Sequence, residues 1–573
     1  MSQQEEVRPT PAAEPAKGAS TKANGAPKNA SAEAILEAMA NADAEPPKVR
    51  ASFGKTIRDV VIVAALLGGG LFFYRNQVTT KEAVQKIAVT AGDKMEKDDL
   101  KSLREAEAQY LQILELDAGN SFGLSGLAET YYHEWRHGLD TKGKAEEYLA
   151  KAEKEGSQTP ERFATRAYLD VAAGRSTEVE ASIRKMFDEN AYHSKLAHAY
   201  GMALLEQGKL NDANQAVQGA LDTDFNAPRY SLTLGEIALR RGGPENTGDK
   251  AALKNVMKVL SSGMNAEHEL AITMVAALRA KNYGNIDKPA KWIQQIEARQ
   301  ADIGPVAKAQ LAWASGELAL ALGDAKVALE KADEAVGLKK DFPPFHELRA
   351  RALLAQGKLQ DAYAAYDEAL KVGPSWRGVK WAYTELKSRH KDDGALAMLT
   401  ELENTDPSSS KGPEYEVFRG DHYLRQEKYA EAKAAYTKAA EVGDDAEILF
   451  GLAQITFAEE RAKGPKADLE KVATDYGTAS DAKKVFPELQ EAMGGVSLWN
   501  FQVDGAQSSY EEAEKQYKRL NKPIPEILAF YDRVVTAFEK ADGAAKKEGA
   551  KKADEWKNKK KEYLASVAAL LGS

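Results

Sequence analysis

The chain has 573 residues, no cysteine and a formal net charge of −9; charged residues make up 29% and aromatics 8%. Without cysteine there is no disulfide, no thiol nucleophile, no Cys-ligated zinc site and no lipid anchor on an N-terminal Cys. The charge is spread without a strongly basic block, which leaves no electrostatic footprint for nucleic acid. The length allows several globular domains or one long array, and the richness in Ala, Leu, Glu and Lys is that of a helical protein.

Residues 1–47 are mostly Ala, Pro, Gly, Lys, Glu and Asn and contain no aromatic. Such a segment buries too little apolar surface to offset the entropy of ordering it. A disordered tail is expected over 1–55. Within it, Ile35, Leu36 and Met39 share one helical face of Ser31–Ala40. That stretch reads as a short docking helix for a partner or as transient helix in an Ala-rich tail.

Val60 to Tyr74 reads VVIVAALLGGGLFFY, an unbroken apolar run. A bilayer core needs about 20 helical residues and at least about 17. Counting from Thr56, with Arg58 and Arg75 reaching toward the headgroups, the run is long enough. A transmembrane helix is therefore expected at 56–75, with Phe72, Phe73 and Tyr74 at one interface. Lys48, Arg50, Lys55 and Arg58 precede it, whereas Arg75 and Lys81 follow. This bias places the N-terminus in the cytoplasm and the remainder outside it. Ala64 and Gly68, and Ala65 and Gly69, have the small-xxx-small spacing that permits helix dimerisation, and so a homodimer. The alternative is a soluble or peripheral cytoplasmic adaptor with the run buried against the rest of the chain.

From Thr80 onward no stretch alternates with period two, and helix is expected almost throughout. Between Phe345 and Asp444 one pattern occurs twice. Ala350 is followed by Ala362, Tyr366, Ala369 and Pro374; Gly420 is followed at the same spacing by Ala432, Tyr436, Ala439 and Asp444. A small residue on one helix faces a small residue on the next, and the aromatic fills the gap beside the crossing. Turns fall at Gly357-Lys358 and Glu427-Lys428. The same register fits Gly201, Ala213, Val217 and Ala220, and also Gly316, Ala328, Ala332 and Ala335. These residues resemble the tetratricopeptide repeat (TPR), a helix–turn–helix unit of about 34 residues. Looser copies precede and separate them, with insertions at Gly242-Gly243-Pro244 and Asn282–Pro289. About ten units are expected over 76–480. Residues 481–573 read as off-pattern and as a helical capping region, its Lys-rich stretch 546–561 being a solvated face.

The resemblance implies an all-α, right-handed TPR solenoid behind the tail and the membrane helix. It implies a concave groove lined by first helices, in which extended segments or helices of partner proteins lie. By register His198, Met202, Arg229, Trp313, Arg351 and Asp421 face that groove, with Trp313 as the best single anchor. TPR proteins that hold the acidic C-termini of chaperones place an Asn after the small crossing residue. Here those positions are Met202, Glu236, Glu317, Arg351, Thr384 and Asp421, so that role is not expected. The architecture resembles bacterial inner-membrane TPR proteins of secretion, pilus, gliding-motility and envelope-assembly machines. That resemblance implies a periplasmic scaffold, with no enzymatic activity and no cofactor.

One motif points elsewhere. His133-Glu134-Trp135-Arg136-His137 matches H-E-x-x-H, which on a helix holds zinc between two His and lets the Glu activate water. Arg136 would set a cation beside the metal, and Gly138 ends the helix at once. The expected reading is a surface helix end carrying two His, with a zinc hydrolase as the remote alternative. No glycine-rich phosphate loop follows a strand, so nucleotide chemistry has no support.

Overall fold

The computed structural model describes residue 78 and residues 80–571, apart from 189–191, 263–264, 407–411, 444 and 542. The expected tail, its docking helix and the apolar span 56–75 lie outside the described residues, as do Pro407 and Asp444. Among the described residues no helix is long and apolar enough to cross a membrane, and no β-strand occurs.

The unit Thr79–Ser573 is built of helical hairpins. Helices α1 (80–97) and α2 (Leu100–Leu116) form the first, α3 (Ser121–Arg136) and α4 (Lys142–Lys154) the second. The third and fourth are α5 (Pro160–Ala172) with α6 (Ser176–Asp188), and α7 (Ser194–Glu206) with α8 (Leu210–Thr223). Then come α9 (Pro228–Arg241) with α10 (Thr247–Ser261), α11 (Glu269–Asn282) with α12 (Asp287–Glu297), and α13 (Pro305–Ala321) with α14 (Ala325–Leu338). The eighth to tenth pair α15 (Pro343–Ala355) with α16 (Leu359–Val372), α17 (Arg377–Arg389) with α18 (Gly394–Asn404), and α19 (Glu414–Arg425) with α20 (Tyr429–Ala440). The last three pair α21 (Ala446–Ala462) with α22 (Leu469–Ala482), α23 (Pro487–Trp499) with α24 (Val503–Arg519), and α25 (Ile524–Glu539) with α26 (Lys546–Leu571).

Local chemistry sets the helix ends. Asp99 caps α2 by accepting from Ser102 N at 2.9 Å, and Asn120 caps α3 through Phe122 N and Gly123 N. The turn inside a hairpin takes a left-handed residue after the first helix, as at Gly208 (φ 74°) and Gly357 (φ 78°). Glu427 holds the same position at φ 62°, where a side chain is strained.

The crossings follow the small-residue register. A Cβ on Gly420 would sit 2.7 Å from Tyr436, and one on Gly201 would sit 2.4 Å from Val217. Gly235 meets Val256 in the same way at 2.6 Å, with the extra residues taken up in the turn at Gly242–Gly243. The register also continues past residue 480, where the sequence reading placed a break. Gly494, Ala506, Tyr510 and Ala513 repeat the spacing of Gly420, Ala432, Tyr436 and Ala439, and a Cβ on Gly494 would sit 2.5 Å from Tyr510. The pair α23/α24 is thus built like the repeats before it. In the last pair, Phe530, Phe538 and Trp556 are buried, while Lys557 and Lys560 lie outward against Glu539 and Asp532.

The stack also winds back onto itself. The inner turn of hairpin 1, residues 95–99, lies against the starts of α9 and α11: Arg229 donates to Met95 O, and Glu269 accepts from Leu100 N at 3.1 Å. The inner turn of hairpin 2 meets the start of α13, where Val306 N donates to His137 O at 3.2 Å. Gly242 meets Gly378 at the start of α17 so closely that a Cβ would come within 2.1 Å of its Cα. Gly284 N donates to Asn521 O at 3.0 Å.

Tyr436 is wedged between Gly420 and Gly451, the second at 2.3 Å from a notional Cβ. Replacing Gly451 with Leu should cost about 1–3 kcal/mol by overpacking. Hydrogen exchange should speed up in α19–α21 and stay unchanged in α2–α4.

Candidate functional site

The residues expected to line a concave groove do not share one fate. His198, Met202 and Arg229 are buried, Arg229 against the inner turn of hairpin 1 and His198 between its neighbouring first helices. Arg229, on the first turn of α9, is the centre of an ionic cluster. Its Nη1 lies 2.8 Å from His133 Nε2 and 3.5 Å from Glu129 Oε1, and its Nη2 lies 3.8 Å from Asp98 Oδ1. Lys195 Nζ meets the other oxygen of Glu129 at 2.8 Å and Glu161 at 3.2 Å. His198 is held on both ring nitrogens, by Tyr168 OH at 2.8 Å and Thr233 Oγ1 at 2.9 Å.

These charges are out of water, and each keeps its state because a partner stands beside it. Burial opposes the charge of Glu129, but Lys195, His133 and Arg229 outweigh it and hold the carboxyl well below its ordinary range. Asp98 is likewise lowered, with Arg229 and then His133 overcoming burial. Burial, then the nearby Arg229 charge, pushes the imidazoles of His133 and His198 down. Glu96, at the rim of the cluster, is raised by burial.

The H-E-x-x-H motif belongs to this cluster, and its expected surface position is corrected. His133 and His137 are buried because the α1–α2 turn and the starts of α9, α11 and α13 cover that side of the end of α3, and Glu134 is buried on its other side, beside Glu107 of α2. His133 Nε2 accepts from Arg229, which leaves its Nδ1 to carry the proton, 3.5 Å from Asp98 Oδ1. His137 Nε2 lies 2.9 Å from Asp98 O and its Nδ1 lies 3.5 Å from Glu269. Among the described residues no three His, Asp or Glu side chains are placed to hold a metal ion. The motif acts as a packed ionic joint between distant hairpins.

Trp313, 1% exposed, packs on Phe342 and Phe345 inside the stack, not at a groove surface. Arg351 donates to both oxygens of Glu317 at 2.8 and 2.7 Å, and its side chain keeps 26% of its exposure. Asp421 accepts from Tyr436 OH and lies 3.6 Å from Arg425, with its side chain still partly open to solvent. Of the six, Arg351 and Asp421 are the ones a partner can reach.

A further opening lies on the second-helix side. Helix α15 lines it with His346, Arg349 and Leu353, α14 with Val336, and α16 with Ala364 and Glu368, and Lys340 joins from the loop between α14 and α15. Its volume is about 620 Å3. Aliphatic side chains set among charged ones can take a segment of a partner polypeptide. The small-residue register had marked these helices but not the opening between them. Lys195, Glu129 and Asp98 were missed for a different reason: they pair with residues 34 to 131 positions away.

Residues 306–378 and 419–464 match the tetratricopeptide repeat family, so the chain carries TPR repeats. No curated protein matches the chain. Among solved structures it is similar to a human IFIT1 dimer with m7Gppp-AAAA, at 14% identity over 68% of this chain and 90% of that one, with a TM-score of 0.39. It is also similar to the APC/C hetero-tetramer Cut9-Hcn1, at 12% identity over 78% of this chain and 96% of that one, with a TM-score of 0.32.

Two outcomes are expected for the cluster. Replacing Arg229 with Met leaves Glu129 and Asp98 with less compensation and should cost about 3–5 kcal/mol, seen as faster exchange in α1, α3 and α9. The depressed imidazoles bind protons more readily in the unfolded chain, so stability should rise with pH up to about 6.5 and fall on acidification below it. Raised Glu96 works in the opposite sense in the lower part of that window. His133→Gln should flatten the slope of unfolding midpoint against pH.

Proposed function

We propose that this TPR repeat protein is a membrane-anchored scaffold that holds partner polypeptides in a bacterial cell-envelope assembly, secretion or motility complex. The apolar run 56–75 supplies the single span, the N-terminus stays in the cytoplasm and the repeats stand in the periplasm. The anchor is supported by the length and unbroken apolarity of the run and by the excess of positive charge before it.

The observation that carries the scaffold reading is the open groove of about 620 Å3 within the first stretch of matching TPR repeats. It offers an extended or helical segment the aliphatic side chains of Val336 and Leu353 beside charges of both signs at Lys340, Arg349 and Glu368. Arg351 and Asp421 provide further accessible contacts on the first helices. The groove's mixed charge suits a protein better than a simple anion.

A photo-crosslinking residue at Glu368 in cells should give one discrete protein adduct. Ala364→Trp, at an exposed groove position, should abolish it while leaving thermal unfolding unchanged. An adduct that persists in the tryptophan variant would overturn the groove as the binding site. Carbonate washing tests the anchor, since a spanning chain stays with the membrane and a peripheral adaptor is released.

A further inference from the structure

The first return of the stack is built differently from later ones. Gly242 meets Gly378, and Gly284 N donates to Asn521 O, backbone against backbone. The inner turn of hairpin 1 instead meets α3, α9 and α11 through ionisable side chains. Arg229 donates to Met95 O, Glu269 accepts from Leu100 N at 3.1 Å, and His137 Nε2 lies 2.9 Å from Asp98 O. Asp98 holds this turn at φ 54°, in the place that Gly208 and Gly357 take in other hairpins. Glycine suits that conformation better. The position gives up that ease for a carboxylate, which is buried 3.8 Å from Arg229 and 3.5 Å from His133.

The sensitive contact joins Arg229 to His133. A guanidinium can only donate, so His133 Nε2, 2.8 Å from Arg229 Nη1, must accept and must carry no proton. A proton there removes the acceptor and sets two cations side by side in the interior. The other groups around His133 are Asp98 from the turn, Glu129 on its own helix with Lys195 of α7 beyond it, the Tyr168 ring of α5 and His198 of α7. His137 and His268 stand around Asp98. Burial and Arg229 outweigh the two carboxylates, so the imidazole is held down and takes a proton more readily once water enters. Acidification below about pH 6.5 therefore favours the open joint, with raised Glu96 opposing it.

We propose that this joint is an acid-released latch: a proton on His133 breaks the bond from Arg229, and the turn of hairpin 1 comes off the starts of α9 and α11 while each hairpin stays folded. Arg229, with Glu129 and Lys195 beside it, is then open to water. Acid thus uncovers a face of the first helices that neutral pH keeps shut.

Two backbone amides report the two kinds of return. Leu100 N–H is bonded to Glu269 across the latch, and Gly284 N–H to Asn521 across a backbone contact. Their hydrogen exchange in the full chain is measured at about pH 7.5 and about pH 5, above and below the ordinary imidazole range, and divided by the intrinsic rate at each pH. One imidazole can shift the closed–open balance by up to about 30-fold over that interval. Protection at Leu100 should fall at least about tenfold in acid, while that at Gly284 stays within about twofold. His133→Gln and His133→Asn each supply an oxygen that accepts from Arg229 and takes no proton in this range, so Leu100 should there change less than about twofold. Unchanged protection at Leu100 overturns the latch, and so does an equal loss at Leu100 and Gly284, which is general unfolding. An acid loss at Leu100 that persists in both amide variants overturns the role of His133 and the proposal with it.

Discussion

The structure depends on one recurring crossing, in which a residue without a side chain, or with only a methyl group, lets two helices approach and a neighbouring ring or branched side chain closes the gap. Val217 against Gly201, Tyr436 against Gly420 and Tyr510 against Gly494 are three versions of it. At each one a Cβ on the glycine would stand closer than side-chain carbons tolerate. The crossing fixes the angle within a hairpin, and the hairpin then presents an apolar face that only its neighbour can cover. Stacking follows from that requirement, and a long row of hairpins follows from stacking.

A second constraint acts across the row. Where the inner turn of one hairpin meets the start of a helix several hairpins later, the backbones touch, as at Gly242 and Gly378. Closure of this kind removes polar side chains from water. The chain compensates with paired charges, Arg229 and Lys195 against Asp98, Glu129 and Glu161, and with imidazoles held neutral. A similar set, Lys281 between Asp249 and Glu347 at 2.9 and 2.7 Å, sits beside Trp313. Buried pairs of this sort contribute little net stability, but they penalise any other register strongly, because a slip leaves a charge alone in the interior. They therefore specify how the hairpins meet more than they strengthen the meeting.

This closure changes what a partner can reach. A concave face that fills itself with its own first hairpin offers few contacts there, and accessible chemistry moves to later first helices and to the opening between α14 and α16. Binding surfaces in this protein are what the winding leaves uncovered.

The helical class, the hairpin unit and most of its crossings were legible in the sequence, because they are set by residues at fixed spacing within about 34 positions. Gly494 to Ala513 obeys the same spacing and was legible too, though the off-pattern aromatics around it hid the match. The fate of His133, His137 and Arg229 was not legible. Their neighbours are up to 134 residues distant, and nothing local in a helix end says whether water or another hairpin lies beyond it. Spacing along the chain determined which helices pair. The return of the stack onto itself decided which of their faces remain outside, because small crossing angles add up over many hairpins and only the sum brings distant turns together.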